Sequence, residues 1–149
     1  MKVGRLLVVA VLGVVLLAGC ATTEQKPMVA KEKSLYERLG GKPAITAVVD
    51  DFVGRVAADN RINSFFATTD IPRLKMHLVN QICEASGGPC KYTGRDMKTT
   101  HRGMGVTKAH FDALVGDLVA TLDKFKVPDK EKNELLSVLG PMQKDIVER

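Results

Sequence analysis

From position 70 to 85, Leu74, His77, Leu78, Gln81, Ile82 and Ala85 recur at i, i+3, i+4, i+7, i+8 and i+11. That is one stripe with the 3.6-residue period of an α-helix. Asp70 and Pro72 supply a start signal, and Gly87-Gly88-Pro89 a stop. The same period returns three more times. Ile45, Val48, Val49, Phe52, Val53 and Val56 follow Pro43 and end at Asp59-Asn60. Phe111, Leu114, Val115, Leu118, Val119 and Leu122 follow a Thr107 cap. Leu135, Leu136, Leu139, Met142 and Ile146 lie behind Pro128, with a bend expected at Gly140-Pro141, where proline removes a ladder bond. Ser34 and Glu37 read as a capping box for one further short turn, closed by Gly40-Gly41. Ile62, Phe65 and Phe66 mark a turn-rich corner, and residues 91–98 show no clear period. Strand-like alternation appears nowhere in the sequence. Residues 34–149 therefore predict one all-α domain with four long helices and a single core.

The chain has three histidines. A single histidine on an apolar helix face is ordinarily a hydrogen-bonded core residue. Two of these, His77 and His101, lie on separate segments that share one apolar lining, and such a pair is also able to face a flat apolar cofactor. No CxxCH is present, which excludes covalent c-type haem attachment. HExxH and paired-cysteine zinc spacings are missing too.

The first residues read as an address. Lys2 and Arg5 precede an apolar run over residues 6–18, followed by Gly19 and Cys20. This is the pattern of a secretory signal. The run is short for a hydrocarbon core of about 30 Å, with an uncleaved anchor as the alternative. LAGC at 17–20 resembles the bacterial lipobox, which implies cleavage before Cys20 and lipidation of that cysteine. Ala21 after it favours the periplasmic face of an outer membrane. Residues 1–19 are thus expected as a lipoprotein signal peptide, 20–33 as a lipidated flexible tether, and 34–149 as the folded domain. Without Lys2 and Arg5 the 22 basic residues fall to 20, against 17 acidic ones. No arginine cluster interleaves with aromatics, so nucleic acid is not an expected partner. With Cys20 lipidated, Cys83 and Cys90 remain. In an exported protein they are expected as a structural disulfide, with free thiols or a redox pair as alternatives.

LYERLGG (35–41), DDF (50–52), the Phe65-Phe66 pair, GGP (87–89), KYTGRDM (91–97) and THRGMGVT (100–107) stand in this order. The series resembles the group I truncated haemoglobins from about Ser34 to the C-terminus. The resemblance implies a two-over-two helical sandwich carrying haem b, with His101 as the proximal iron ligand. It implies porphyrin walls from Phe52, Phe66, Leu74, Leu78, Ile82, Met97, Val106 and Phe111. Lys75, Tyr92, Lys98 and Arg102 are candidates for the propionates. One departure stands out. Many relatives carry a tyrosine where this chain has Val53, and Leu74 and Leu78 occupy the other positions of polar distal groups. Some cyanobacterial members have a histidine matching His77 that binds the iron as a sixth ligand. The implied function is reversible binding of oxygen, nitric oxide or carbon monoxide. The alternatives are a nitric-oxide dioxygenase or peroxidase-like enzyme, and a bis-histidine electron-transfer or redox-sensing protein. Turnover would need a separate electron donor, because no flavin or nicotinamide motif is present.

Overall fold

Ser34 opens the first helix as a capping box. Its hydroxyl accepts the Glu37 N–H at 3.3 Å, and the Glu37 carboxylate accepts the Ser34 N–H at 2.8 Å. The computed structural model describes residues 32–149. The expected signal segment 1–19, Cys20, and the tether as far as residue 31 lie outside the described residues. Helix α1 (Leu35–Arg38) ends at Gly40 and Gly41, both at positive φ, and the chain turns at once into α2 (Gly41–Ala58). Arg38 ties α1 to a later helix through Glu131 at 3.3 Å and through Glu134.

Helix α2 buries Ile45, Val49, Phe52, Val53 and Val56, as its stripe requires. A 3₁₀ turn at Asn63–Phe66 forms the expected corner, with Ile62 buried beneath it. Asp70 then caps α3 (Ile71–Ala85), accepting the Arg73 N–H at 3.1 Å. Helix α3 has two apolar faces. Val79, Ile82 and Cys83 enter the core, whereas Leu74, His77, Leu78 and Gln81 are only half-buried and line a cleft. Helix α5 (Lys108–Lys124) divides the same way. Ala113, Leu118, Thr121 and Leu122 are buried, while Phe111, Leu114 and Val115 face the cleft. Thr107 caps α5, accepting the His110 N–H at 3.3 Å. Between α3 and α5 lies a helix with no sequence signal, α4 (Met97–His101), capped by Asp96. Five residues are too few to display a period. Helix α6 (Asp129–Leu139) follows Pro128, breaks into a 3₁₀ turn at Gly140–Met142, and resumes as α7 (Gln143–Ile146). The Gly140-Pro141 bend is therefore where proline chemistry puts it. No strand occurs among the described residues. Helix α2 is central, with α3 and α5 both packed on it, and α4 lies against α7.

Cys83 and Cys90 form a disulfide. The two half-cystines bracket the Gly87-Gly88-Pro89 turn, so the bridge joins the end of α3 to the loop that leads to α4. Gly88 is the residue that this close approach demands. A Cβ there would lie 2.5 Å from the Tyr36 ring and 2.7 Å from both the Cys83 carbonyl oxygen and Sγ. Replacing both cysteines with serine is expected to cost roughly 2 to 3 kcal/mol of unfolding free energy, on the chain-entropy account of a small closed loop. Urea unfolding of the two proteins measures this. Equal midpoints would show that the bridge adds no stability.

Candidate functional site

The half-buried faces of α3 and α5 enclose a cleft of about 810 Å³, within the range of small-molecule and cofactor sites. Phe52, Val53 and Val56 come to it from α2, Phe66 from the corner, and Leu74, His77, Leu78 and Ile82 from α3. Tyr92 enters from the loop, Met97 and His101 from α4, Phe111 and Leu114 from α5, and Met142 and Ile146 from the C-terminal turn and helix. The walls are thus mostly aliphatic and aromatic, with few polar groups.

His101 is the last residue of α4, and its Nδ1 lies 2.8 Å from the Met97 carbonyl oxygen. A carbonyl only accepts, so Nδ1 carries the proton and donates. Nε2 then keeps its lone pair, which is the tautomer a metal ligand needs. His77 lies edge-on to Tyr92, with ring centroids 5.8 Å apart, and its Nδ1 is buried without a hydrogen-bond partner. Tyr92 is held firmly. Its hydroxyl donates to the Arg95 carbonyl at 2.7 Å, and its N–H donates to the Glu84 carboxylate at 3.0 Å. Burial pushes its phenol above the usual tyrosine range, so it stays neutral. The Gln81 amide Nε2 donates to the Met97 sulfur at 3.6 Å and the Met142 sulfur at 3.4 Å, linking α3 to α4 and to the C-terminal turn.

Phe52, Phe66, Leu74, Leu78, Ile82, Met97, Tyr92 and Phe111 all line the cleft, together with both histidines. Four other expected residues do not. Lys75 follows Leu74 by about 100° around α3, and its ammonium pairs with Asp50 of α2 at 2.9 Å. Val106 is buried in an adjoining cavity of about 320 Å³ that shares His101, Phe66 and Phe111 with the main cleft. The Val106 carbonyl takes the Glu148 N–H at 2.8 Å, which holds that residue on the C-terminal side. Lys98 and Arg102 are also absent from the lining; the cations that do line the cleft are Arg73 and Arg95. Arg73 stands one turn before His77, a spacing visible in the sequence. Arg95 lies in a loop whose course no periodicity reveals.

Among the described residues no group of three or more His, Cys, Asp or Glu side chains is placed to hold a bare metal ion. A haem iron would make a smaller demand, because the porphyrin brings most of the ligands and the protein would add an imidazole such as His101. Apolar walls, an imidazole with Nε2 unengaged, and guanidinium groups for carboxylates are the donor set and surroundings that haem requires. The buried, unpartnered nitrogen of His77 is a further sign that the cleft accommodates a polar or metal-bearing group. The residues present fit haem.

Comparison with known proteins agrees. The chain matches the family described as bacterial-like globin over residues 34–148. A group 1 truncated hemoglobin of Mycolicibacterium paratuberculosis is 38% identical over 117 residues, spanning 78% of this chain and 86% of that protein. One from Synechocystis is 40% identical over 111 residues, spanning 72% and 90%. The crystal structure of truncated hemoglobin from Tetrahymena pyriformis superposes with a TM-score of 0.75 at 35% identity, covering 78% of this chain and 100% of that one. The 2/2 hemoglobin of Synechococcus, solved with covalently attached heme, gives 0.74 at 36% identity with the same coverage. Sequence and fold match together across almost the whole described segment, and the chain belongs to the bacterial-like globin family, as a group 1 truncated haemoglobin with the two-over-two helical fold.

Proposed function

We propose that this protein binds haem b through His101 and reversibly takes up oxygen or another diatomic gas. The observation that carries the reading is the His101 Nδ1–Met97 carbonyl bond of 2.8 Å, which leaves Nε2 as the free nitrogen of a residue lining an apolar cleft. The related proteins named hemoglobins support it. Haem, when bound, would supply an iron able to take up a diatomic gas, with His101 as the residue that would hold it. The chain's own residues do the rest. Phe52, Phe66, Ile82 and Phe111 exclude water from the cofactor faces, and Arg73 and Arg95 offer charge to the propionates. Val53, Leu74 and Leu78 line the cleft with no hydrogen-bond donor. Polar stabilisation of a bound gas therefore falls to His77, because the Tyr92 hydroxyl and the Gln81 amide already donate elsewhere. Titration of the purified apoprotein with haemin is expected to reach a 1:1 end point with a sharp Soret band. After reduction, carbon monoxide should shift that band. A titration without an end point would overturn the proposal.

We also infer, from the sequence ahead of the domain, that the globin is held on a membrane. LAGC at 17–20 supports lipidation of Cys20 and residence at the periplasmic face of the outer membrane, with residues 20–33 as the tether. An electron donor of another chain would return the iron to the ferrous state. Cells fed a radiolabelled fatty acid are expected to label the wild-type protein and not Cys20→Ser. An unlabelled wild type would rule the lipid anchor out and leave an ordinary signal peptide or an uncleaved anchor.

A further inference from the structure

The helix that carries His101 has five residues. A helix of that length has no stability of its own, so its surroundings must hold it in place. The Asp96 carboxylate secures the N-terminal end by accepting the Thr99 N–H at 2.8 Å. The C-terminal end runs into residues 102–107, where Gly103 and Gly105 both have left-handed φ values, 79° and 67°. Side chains rarely adopt this conformation, and here it turns two N–H groups toward the same place. The Gly103 N–H donates to Glu148 Oε1 and the Gly105 N–H to Glu148 Oε2, each at 2.6 Å. These are short, charge-assisted bonds. The backbone adds two more: the Glu148 N–H donates to the Val106 carbonyl at 2.8 Å, and the Lys108 N–H to the Arg149 carbonyl at 3.3 Å.

The consequence for the site follows from how the imidazole is held. Among the described residues, the ring hydrogen-bonds to the Met97 carbonyl, four residues back in the same helix. The ring is therefore fixed to α4 and turns with it. Whatever sets the rotation of α4 about its axis also sets the direction of Nε2. On its C-terminal side, the first anchored atom after His101 is the Gly103 nitrogen, bound to Glu148. We propose that Glu148 is a positioning residue for His101: by spanning the Gly103 and Gly105 N–H groups with its two oxygens, it locks α4 and so aims the histidine into the cleft. The proposal rests on the reading of His101 as the haem ligand.

The chemistry demands a carboxylate of this length. Two N–H groups two residues apart need an acceptor with two oxygens. Glutamine offers one oxygen, and its NH₂ would oppose the second N–H. Aspartate is one methylene shorter and reaches one of the two.

Glu148→Gln and Glu148→Asp, made in the full chain, test this. Circular dichroism and the thermal midpoint of the apoprotein report folding. In the apoprotein, ¹⁵N shifts of the His101 ring are expected to move toward a mixture of tautomers in Glu148→Gln, as the Met97 bond loosens. In the haem-loaded protein, transfer of haem to an excess of apomyoglobin should become about 10- to 100-fold faster, the range typical for groups that orient a metal ligand. The iron–histidine stretching band, recorded just after photolysis of carbon monoxide, should shift or broaden. Glu148→Asp should fall between wild type and Glu148→Gln. It carries the same readouts if the glutamine variant folds poorly. Unchanged ring shifts, haem-transfer rate and stretching band in a folded variant would overturn the positioning role. A wild type without any iron–histidine band would instead overturn the assignment of His101.

Discussion

His101→Ala is expected to lose stoichiometric haem while keeping its fold. The side chain is half-buried, and its one hydrogen bond is within its own helix. Alanine is the best helix former, so α4 has no local reason to unravel. The axial bond, however, disappears completely. The loss should exceed the roughly 10- to 100-fold in affinity that follows removal of a group orienting a metal ligand, because here the ligand itself is gone. Apolar walls remain, and residual haem should partition into the cleft weakly and without a defined end point. The haemin titration above measures this, with circular dichroism as the folding check. Imidazole added to the mutant should restore a ligated spectrum, because the truncation leaves space beside the iron position. Rescue by free imidazole separates a ligand role from a folding role. Unchanged stoichiometry and spectrum would show that another residue holds the iron.

The second large effect is expected at His77. Its Nδ1 is buried with no partner, a condition that costs about 1–3 kcal/mol when nothing satisfies the group. His77 lines the cleft beside Tyr92. An iron within reach of that nitrogen would remove the cost by bonding to it. Wild-type ferrous protein is then expected to be six-coordinate and low-spin, and His77→Ala five-coordinate. An external gas must displace His77 in the wild type. Its apparent affinity is therefore lowered by the fraction of molecules with the site open. If that fraction is roughly 10% or less, His77→Ala should bind carbon monoxide about tenfold faster or more. Stopped-flow mixing after dithionite reduction gives the rate, and the visible bands before mixing give the coordination. In the opposing arrangement His77 turns to the rim and pairs with a propionate. The wild type would then already be five-coordinate, and the mutant would bind at an unchanged rate.

Local chemistry alone determined the four long helices of this protein, their caps and their breaks. Ser34, Asp70 and Thr107 accept N–H groups three residues on, Gly87-Gly88-Pro89 stops α3, and Gly140-Pro141 bends the last helix. Each of these depends on neighbours within about one turn, so the order of residues contains the answer. His77 and the apolar residues of α2, α3 and α5 were legible for a related reason, whereas His101, Phe66 and Met97 were marked only by the family resemblance. The stripe that faces a cofactor and the stripe that faces a core obey the same helical period.

That shared period is also why the sequence could not separate the two. Only packing decided that Val79 and Cys83 enter the core while Leu74, His77 and Leu78 line the cleft. Helix α4 was invisible because five residues show no period, although it carries His101. Lys75 was drawn to Asp50, and Arg73 and Arg95 reached the cleft in its place, because the partner of a flexible cation is set by whichever charge another element brings near. The Glu148 clamp lies furthest from sequence reasoning. It joins positions 43 and 45 residues apart, and no local rule couples a carboxylate to two N–H groups over that distance until the helices have folded and brought them together.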